Sequence, residues 1–573
     1  MKTRAALTAL EARLKRTLRD AFGLQALRPG QQQVIERVLG GRSVLAVMPT
    51  GAGKSLCYQL PALMLPGRTV VISPLIALMK DQQEKLEALG IQAVQFNSHV
   101  PADEIRAGEA ALRDGTARVV FTTPERLSDA GFLDLLTERP TSLLVVDEAH
   151  CISQWGHDFR PAFLDIDMAL EKLGRPPVLA LTATASEEVA ADIMKRLRIA
   201  KSGWIDTGTY RPNLHYAVEQ LTHEDEKLRR AIELVRGTEG SGIVYAATVR
   251  AAVAVHDALR DAGESVGLYH GRRAAADRRQ AQDVFMAGET RVMIATNAFG
   301  MGIDKPDIRF VLHYQMPPAL DAYYQESGRA GRDGAPSSCT LLFRRRDKAV
   351  QQFFLGGRYP AEEELDAVYR AMQAHADDAS EMTLAQLREG LPIPRNKLRV
   401  ALSLLRGSRV FTTLLDGRIR LQRRDLTAET LHELAAGYRQ KRVQDHEALD
   451  RMVFYAQTGQ CRWQVLLAYL EGEAPAQRCG TCDNCLRIAH HQAALAAASA
   501  ARIERAPLRR PATRRMRAPA FALQQPVKVG RFGEGQVVSA DTASITVEFA
   551  DGSRRCFLPA YVEAIRSPTA RTP

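Results

Sequence analysis

A glycine-rich turn placed directly after a short apolar run constrains the fold of this sequence more than any other feature. The turn spans residues 48–55 and follows the apolar run 43–47. Backbone N–H groups of such a loop surround phosphate oxygens, and the positive N-terminal end of the next helix strengthens the binding. In this pattern Lys54 reaches the β- and γ-phosphates and the Ser55 hydroxyl binds Mg²⁺. The expected nucleotide contacts of the loop are Thr50, Gly51, Gly53, Lys54 and Ser55.

The loop taken alone leaves a second interpretation open. Met48 stands where a strict G-x-x-x-x-G-K-S motif begins with glycine, so an ordinary glycine-rich turn would look similar. Further along, the apolar run 143–146 ends in Asp147 and Glu148. Asp147 can hold the metal ion, and Glu148 can orient or deprotonate a water molecule. Since sites of this kind lie at strand ends of one α/β sheet, the two motifs together indicate hydrolysis of a nucleoside triphosphate.

Length and composition are those of a multidomain enzyme. A chain of 573 residues corresponds to about four domains at a prior of roughly 150 residues each. The sequence has no apolar run of about 18 residues, which predicts no membrane span, and the charged segment 1–20 does not resemble a secretory signal. Eight cysteines in a chain this long do not form a disulfide framework, which favours the reducing cytoplasm. The net charge of +11 favours a polyanionic partner, although a basic enzyme of another kind would also fit.

Short β-type runs alternate with helical stretches in two successive series, which indicates parallel sheets covered by helices. We therefore predict an α/β fold with two lobes, residues 1–208 and 209–350. A nucleotide bound between two lobes is typical of a motor, because hydrolysis can open and close the cleft. The predicted strands are 43–47, 69–73, 118–122, 143–146 and 178–182 in the first lobe, and 242–246, 266–269, 291–295, 310–313 and 339–343 in the second.

Both predicted lobes carry a fixed order of motifs, at 22–31, 49–61, 73–82, 123–127, 147–161, 180–185, 211–214, 296–304 and 323–334. This ordered set resembles superfamily 2 helicases, and in detail the RecQ family of ATP-dependent DNA helicases. The resemblance implies RecA-like lobes, ATP and Mg²⁺ as cofactors, and single-stranded and forked DNA as partners. It further implies 3′-to-5′ polarity and a role in DNA repair, recombination, replication and the SOS response, in the bacterial cytoplasm at the nucleoid.

The resemblance also assigns site residues. Arg28 and Gln31 fit adenine recognition, since a Gln amide can donate to and accept from the base, whereas Leu24 stands where the family usually carries an aromatic residue. His150 resembles the residue that couples the nucleotide to contacts between the lobes. We predict that Gln325, Arg329 and Arg332 share one helix face, with Arg332 as the arginine finger; a surface ion pair is the alternative for any one arginine.

Two aromatic residues and an arginine follow the catalytic carboxylates, namely Trp155, Phe159 and Arg160. Aromatic side chains stack on bases of any sequence, and Arg binds phosphate. The alternative for Trp155 and Phe159 is core packing, the commoner fate of aromatic residues. The resemblance favours a loop that senses single-stranded DNA.

Four cysteines predict a structural zinc site: Cys461, Cys479, Cys482 and Cys485. Two overlapping C-x-x-C turns and one distant cysteine supply four thiolates, which leave no open coordination position for catalysis. A redox dithiol is the alternative. The RecQ family carries a structural zinc with this spacing, and the predicted module spans residues 425–486.

The chain departs from the family on both sides of this module. Residues 360–424 read as a winged-helix-like segment, with helices around 383–387 and 395–405, then a hairpin over 410–421 that turns at Asp416 and Gly417; it could bind DNA or a protein. Residues 487–524 read as a disordered basic linker. For residues 525–567 we predict a small all-β barrel of the SH3 or Tudor type. This segment resembles the C-terminal module of UvrD/PcrA helicases, which implies RNA polymerase as a possible partner. A DNA-binding or purely structural barrel is the alternative.

Two functions remain in competition. The first is a RecQ-type DNA helicase, with a monomer favoured. The second is a DNA-stimulated ATPase that translocates or remodels with little strand separation, because the family's usual hairpin domain is displaced.

Overall fold

A computed structural model describes residues 2–127, 129–153, 162–163, 166–300, 303, 305–356, 360–378, 381–408, 410–413, 418–504, 521–541 and 544–565. The chain divides into two compact units, residues 1–491 and 492–573. The predicted fold class is confirmed: two parallel-sheet lobes precede a helical region with a cysteine cluster and a small antiparallel sheet. Among the residues that the structure describes, no helix combines the length and the apolar character needed to cross a bilayer.

The first lobe is a seven-stranded parallel sheet in the order β3-β4-β2-β5-β6-β1-β7. Its central strands are buried on both faces because helices cover both sides, with one apolar cluster on each face. The strands are β1 (Val44–Val47), β2 (Arg68–Ile72), β3 (Ala93–Phe96), β4 (Val119–Thr122), β5 (Thr141–Val146), β6 (Val178–Thr182) and β7 (Trp204–Asp206). The helices are α1 (Lys2–Phe22), α2 (Gln31–Leu39), α3 (Leu56–Met64), α4 (Ile76–Ala88), α5 (Ala102–Asp114), α6 (Pro124–Leu127), α7 (Ala130–Thr137), α8 (Ile166–Lys172) and α9 (Glu187–Arg196).

The second lobe is a six-stranded parallel sheet in the order β10-β11-β9-β12-β13-β8. Its strands are β8 (Leu214–Gln220), β9 (Ser241–Tyr245), β10 (Val266–Tyr269), β11 (Val292–Ala295), β12 (Ile308–His313) and β13 (Ser337–Phe343). Its helices are α10 (Glu224–Gly237), α11 (Val249–Asp261), α12 (Ala275–Met286), α13 (Leu320–Ser327) and α14 (Asp347–Gly356). All ten strands predicted from the sequence are present in outline, and strands β3, β7 and β8 are additional.

The segment after the second lobe has its own apolar core, which includes Leu365, Leu387, Leu405 and Phe411. Three helices build it: α15 (Glu362–Asp378), α16 (Leu384–Glu389) and α17 (Arg395–Gly407). Thr383 and Gln386 form a capping box that begins α16, as expected from their hydrogen-bonding groups. Strands β14 (Phe411–Thr413) and β15 (Ile419–Leu421) pair antiparallel, as predicted, while the expected turn at Asp416 and Gly417 lies outside the described residues.

The cysteine cluster lies among three helices, α18 (Ala428–Gln457), α19 (Arg462–Leu470) and α20 (Asp483–Glu504). The last of these corrects the prediction of a disordered linker over 487–524, because α20 is helical as far as Glu504. The reason is composition: residues 493–501 are mostly alanine, the best helix former, and this outweighs the expectation based on charge. Residues 505–520 lie outside the described residues.

The second compact unit contains a five-stranded antiparallel sheet in the order β19-β18-β17-β16-β20. Its strands are β16 (Pro526–Val529), β17 (Gly533–Ala540), β18 (Ile545–Phe549), β19 (Arg554–Phe557) and β20 (Glu563–Ala564). Alternating residues Val527, Val529, Val537, Ile545 and Val547 point inward and form its core. The domain boundaries drawn from the sequence stay predictions.

Candidate nucleotide and zinc sites

A cleft of about 650 Å³ lies between the two lobes. The residues that follow the carboxyl ends of β1 and β5 line it from the first lobe. Parallel strands place their carboxyl ends at one edge of a sheet, which explains how distant motifs meet there. The structure brings together almost every residue predicted for nucleotide binding and hydrolysis. The cleft is lined by Arg28, Gln31, Thr50, Gly51, Gly53, Lys54, Ser55, Asp147, Glu148, Gln325, Arg329 and Arg332, among others.

The phosphate loop joins β1 to α3 and depends on two glycines. Gly51 and Gly53 have φ angles of 86° and 78°, in the left-handed region that favours glycine. A Cβ on Gly53 would lie 2.6 Å from Nε2 of Gln31, so a larger residue would collide there. The cradle is therefore shaped by backbone, as phosphate binding requires.

Lys54 lies inside this loop and donates hydrogen bonds to the carbonyl oxygens of Met48, at 3.1 Å, and Pro49, at 3.4 Å. Burial lowers the pKa of Lys54, while the carboxylates of Glu148 and Asp147 oppose that change. A buried ammonium needs anionic partners to stay charged. The phosphates of a nucleotide would supply them in addition to the two carboxylates.

Gln31 and Arg28 contact the phosphate loop. The Gln31 amide donates to the carbonyl oxygens of Ala52 and Gly53, each at 3.0 Å, and its Oε1 accepts from the Arg28 backbone N–H at 2.7 Å. The Arg28 guanidinium donates to the carbonyl oxygen of Gly51. Leu24 also lines the cleft and is 43% exposed. This position therefore offers a base an aliphatic contact in place of the aromatic stacking that is usual in the family.

Asp147 and Glu148 follow β5 directly. Asp147 accepts a hydrogen bond from Oγ of Ser73 at 3.2 Å, and burial together with the adjacent Glu148 raises the pKa of Asp147 to about 7. Glu148 adopts φ 50° and ψ 48°, a left-handed conformation that costs a residue with a side chain about 1–2 kcal/mol. Such strain persists where the surroundings fix a residue, and active sites are common places for it.

His150 lies beneath the carboxylates and is buried. Its Nδ1 lies 3.3 Å from Oε2 of Glu148 and 3.0 Å from Oγ1 of Thr182. Thr182 ends β6 and belongs to the motif at 180–185. The imidazole therefore connects Glu148 to β6. A change at the nucleotide could reach the motif at 180–185 through these contacts, as the coupling role predicted for His150 requires.

The donor set fits Mg²⁺ and ATP. A hydroxyl from Ser55 and a carboxylate from Asp147 are hard oxygen ligands of the kind that Mg²⁺ takes in small number beside substrate phosphates. An ion held there by Ser55 and Asp147 would neutralise charge on the phosphoryl group. The glycine cradle and Lys54 would hold the phosphates, and Glu148 lies at the end of β5 beside Asp147, where it could orient an attacking water.

The second lobe contributes Gln325, Arg329 and Arg332, but the expectation that all three share a helix face is wrong. Helix α13 ends at Ser327, so only Gln325 is helical. Gly331 has φ 57°, and a Cβ on Gly328 would lie 3.2 Å from Cβ of Thr50. After the helix, the left-handed Gly331 turns the chain, and the missing side chain of Gly328 lets the phosphate loop pack against this turn.

Both arginines nevertheless reach the cleft from this turn. Arg329 is nearly buried and donates to the carbonyl oxygen of Gly300. Arg332 packs beside Gly51, since a Cβ on that glycine would lie 3.1 Å from Cγ of Arg332. Arg332 of one lobe therefore lies beside the phosphate loop of the other, a position compatible with the arginine finger predicted for it.

Sequence reasoning missed the role of Arg211, which lies in the linker between the lobes. Its guanidinium donates to the carbonyl oxygens of Gly328, Ala330 and Gly331 at 2.6–2.7 Å and to that of Thr50 at 3.3 Å. The planar fork of Arg suits several acceptors at once. In the sequence, only its position in the motif at 211–214 indicated that Arg211 matters. The motif does not show which carbonyl groups the guanidinium binds.

The residues predicted to contact DNA, Trp155, Phe159 and Arg160, lie outside the described residues. Their role stays a prediction.

The four predicted zinc ligands converge. The Sγ atoms of Cys461, Cys479, Cys482 and Cys485 all lie within 4.8 Å of one another, and those of Cys479 and Cys485 are 3.9 Å apart. Zinc–sulfur bonds of about 2.3 Å in a tetrahedron place sulfur atoms about 3.8 Å apart, so the quartet fits Zn²⁺. Hydrogen bonding between Cys479 and Cys482 lowers the pKa of Cys479 and raises that of Cys482. A metal bound by four thiolates would release the protons that remain on the cluster.

The zinc module shares its core with the second lobe rather than forming one of its own. The indole of Trp463 donates to the carbonyl oxygen of Leu214 at 3.1 Å, and its ring packs edge-on against Tyr216 at 5.0 Å. Asp483 accepts two hydrogen bonds from Arg462 at 2.9 Å and one from the backbone of Val218 at 3.1 Å. The zinc site therefore supports the sheet of the second lobe.

Comparison with known proteins agrees with this geometry. Residues 28–193 match the description "DEAD/DEAH box helicase", residues 226–334 match "Helicase conserved C-terminal domain", and residues 421–486 match "RecQ zinc-binding". The helicase Lhr of Mycobacterium smegmatis bound to ssDNA and AMP-PNP has a similar fold, with a TM-score of 0.50, 20% identity, and coverage of 74% of this chain and 61% of that one.

Two curated relatives from Bacillus subtilis (strain 168) are close in sequence. The ATP-dependent DNA helicase RecQ is 45% identical over 345 residues, which cover 60% of this chain but only 58% of that protein. The probable ATP-dependent DNA helicase RecS is 35% identical over 461 residues, which cover 80% of this chain and 88% of that protein.

Two RecA-like lobes around one cleft, each matching a helicase domain, define the class: proteins with the two-lobed helicase fold. The alignment with RecS covers 88% of that protein, and residues 421–486 match the RecQ zinc-binding description. Both findings identify the family within this class. The chain belongs to the RecQ family of ATP-dependent DNA helicases.

Proposed function

We propose that this protein couples ATP hydrolysis to 3′-to-5′ translocation on single-stranded DNA and thereby unwinds duplexes. One observation carries the proposal: Lys54, Asp147 and Glu148 of one lobe face Gln325, Arg329 and Arg332 of the other across a single cleft. A nucleotide held on both sides favours closure, and its hydrolysis releases the lobes, which is how such motors move along a strand.

The roles of the residues follow from their positions. Lys54 and the glycine loop bind the phosphates, Ser55 and Asp147 hold Mg²⁺, and Glu148 orients water. Arg332 stabilises the charge that develops in the transition state, so its contribution appears only when the lobes are closed. The relatives' names support DNA as the substrate, while polarity, a role in repair and recombination, and a place at the nucleoid are parts of the proposal.

The position of the winged-helix-like segment favours a second candidate. It precedes the zinc module, and the chain continues after Cys485 as helix α20. A protein whose strand-separating element is displaced could translocate or remodel with little unwinding. DNA-stimulated ATPase would then be strong, whereas strand displacement would be weak.

A paired assay separates the two functions. Phosphate release and strand displacement are measured on forked, 3′-tailed and 5′-tailed duplexes, with Glu148→Gln as the inactive control. Unwinding of the forked and 3′-tailed duplexes with a matching ATPase supports the helicase. Strong ATPase without displaced strand supports the translocase, and unwinding of the 5′-tailed duplex alone would refute the polarity.

We also propose that the barrel at 521–565 docks a protein, with RNA polymerase as the first candidate. Large apolar side chains lie on its surface: Phe532, Leu558 and Tyr561 are 46%, 59% and 69% exposed. Apolar surface marks a binding site where it forms one contiguous patch, and the proposal is that these side chains form one, with Phe532 held in place by Phe549 and Phe557. Its charged groups are of both signs, which favours a protein over DNA.

A further inference from the structure

The linker between the lobes is attached to the first lobe up to Thr207. Its backbone N–H donates to the carbonyl oxygen of Val47 at 3.0 Å, and its Oγ1 lies 3.3 Å from the same oxygen. Val47 ends β1, immediately before the phosphate loop. Thr207 therefore moves with the nucleotide-binding edge of the first lobe.

From Thr209 onward the shortest hydrogen bonds of the linker go to the other side of the cleft, although Arg211 also donates to the carbonyl oxygen of Thr50 in the first lobe at 3.3 Å. Oε1 of Glu471 accepts from the Thr209 backbone N–H at 2.6 Å and from its hydroxyl at 2.7 Å. The hydroxyl of Tyr324, on α13, donates to the carbonyl oxygen of Thr209 at 2.6 Å. Thr209 is buried, and hydrogen bonds to a carboxylate are stronger than those between neutral groups.

Glu471 directly follows α19, a helix that is fixed to the second lobe at both ends. In the first turn of α19, Trp463 donates to the Leu214 carbonyl oxygen. In its last turn, the hydroxyl of Tyr469 donates to Oδ2 of Asp321 at 2.5 Å. Since α19 begins directly after the zinc ligand Cys461, this helix is a rigid arm from the zinc site to the linker.

Only Gly208 lies between the two attachments. It has φ 76°, a conformation open to glycine, and a Cβ there would lie 3.7 Å from Oε1 of Glu471. Its backbone N–H donates to Oδ1 of Asp206, the last residue of β7, at 2.8 Å, so it keeps one contact with the first lobe. The attachment therefore changes from the first lobe to the other side of the cleft between Gly208 and Thr209, and Gly208 is the residue at that change whose backbone is free to rotate.

We infer that Gly208 is the pivot of lobe closure and that Glu471 is a positioning residue that confines the hinge to it. The inference rests on the proposed function, because it concerns the motion that ATP drives. A hinge restricted to one residue returns Arg332 to the same place beside the phosphate loop in each cycle. A longer, unclamped linker would let the lobes close in many orientations, few of them productive.

Glu471 does not line the nucleotide cleft, so its loss should change turnover rather than nucleotide affinity. Three variants test this: Glu471→Ala removes the acceptor, Glu471→Gln keeps a neutral one, and Glu473→Ala removes a nearby exposed carboxylate as a matched control. The readouts are zinc content, hydrogen exchange of the linker amides, and kcat and KM of the DNA-stimulated ATPase.

In Glu471→Ala we expect the Thr209 amide to exchange about tenfold faster, because a local hydrogen bond is lost without unfolding. We expect kcat to fall about fivefold with KM for ATP within about twofold, the signature of impaired closure. Glu471→Gln should stay within about twofold of the wild type, since an amide oxygen still accepts. Glu473→Ala should match the wild type, and all variants should keep the zinc.

If the Thr209 amide of Glu471→Ala exchanges at the wild-type rate, Glu471 does not hold the linker, whatever the ATPase shows. Faster exchange with unchanged kcat would overturn the positioning role. A wild-type protein without DNA-stimulated ATPase would refute the proposed function instead, and the exchange rates would still decide whether Glu471 holds the linker.

Discussion

Nη2 of Arg211 lies 2.6 Å from the carbonyl oxygen of Gly331, in the turn that positions Arg332. The same guanidinium reaches the backbone of Thr50 in the phosphate loop. One linker residue therefore holds the arginine turn of the second lobe and contacts the nucleotide loop of the first. Charged donors at this distance form strong hydrogen bonds.

Replacing Arg211 by Lys should lower the DNA-stimulated kcat at least about tenfold, because an ammonium cannot reproduce the planar fork and a lost charged hydrogen bond costs about 1.5–3 kcal/mol. Nucleotide binding by the first lobe should change little. Steady-state ATPase and nucleotide titrations measure both quantities. Arg236→Lys, on the exposed face of α10, is the control, and equal activity of the two variants would contradict this role.

Lys54→Ala should abolish nucleotide binding and hydrolysis, since it removes the cation of the phosphate loop. Glu148→Gln should bind ATP but lose turnover by about 10²–10⁴-fold, the range typical of a group that moves or orients a proton. Binding is measured with a fluorescent nucleotide, and turnover by phosphate release. Near-normal hydrolysis by Glu148→Gln would refute its assignment.

Cys482→Ser should release the zinc and destabilise the second lobe as well as residues 425–486, because Trp463 and Asp483 contact β8 directly. Metal binding supplies folding free energy to modules of this kind. Limited proteolysis should then cleave near 214–220, while the first lobe stays resistant. Cys556→Ser, at an exposed cysteine, should keep one zinc per chain; cleavage confined to the zinc module would argue against the shared core.

Lys227→Met should destabilise the second lobe by up to about 3–5 kcal/mol, the usual cost of removing one member of a buried ion pair, because the remaining cation, Arg344, is farther from Asp347 at 3.9 Å. Nζ of Lys227 lies 2.6 Å from Oδ2 of Asp347, and both side chains are buried. Burial raises the pKa of Asp347, and Lys227 opposes that rise.

The pH dependence of this variant has a definite sign. Without Lys227 the folded-state pKa of Asp347 rises further above its unfolded value, so the folded state binds the proton more tightly. The loss of stability should therefore be larger at pH 8 than at pH 5, as measured by thermal melting. Lys227→Met combined with Asp347→Leu should recover stability, and a deficit independent of pH would contradict the uncompensated charge.

Truncation after Glu504 should leave ATPase intact, since the nucleotide cleft and the zinc cysteines lie upstream. What it should remove is partner binding by the barrel. The isolated segment 521–565 has its own core and can serve in a pull-down with RNA polymerase at low and high salt. Docking through Phe532, Leu558 and Tyr561 should persist at high salt, whereas recovery of nucleic acid alone, lost as salt rises, would refute a protein partner.

The sequence predicted those features that local pattern determines. Buried strands read as apolar runs, the phosphate loop as glycines before Lys54, and the zinc site as a cysteine quartet. The end of α13 was misplaced, since a three- or four-residue spacing suggests a helix, whereas α13 ends at Ser327 and the chain then turns through the left-handed Gly331. Helix α20 was missed because the basic charge of the region outweighed its alanine content in our interpretation.

Contacts between distant residues could not be predicted. Glu471 and Thr209 are separated by 262 positions, and a glutamate after a helix is an ordinary surface residue in sequence. Arg211 is equally ordinary until the turn at 328–331 lies against it. Such contacts depend on how the lobes and the zinc module pack, which no local periodicity encodes.

The core shared by the second lobe and the zinc module has a consequence for biosynthesis. The last strand of the lobe, β13, leaves the ribosome roughly 140 residues before Cys485, which at about 5–20 residues per second is a delay of roughly 7–30 seconds. During that interval the apolar face of the second lobe, against which Trp463 later packs, is exposed. Meanwhile the winged-helix-like segment emerges and folds around its own core. A nascent chain should therefore engage chaperones at this stage, and zinc supply should limit how quickly it is released from them.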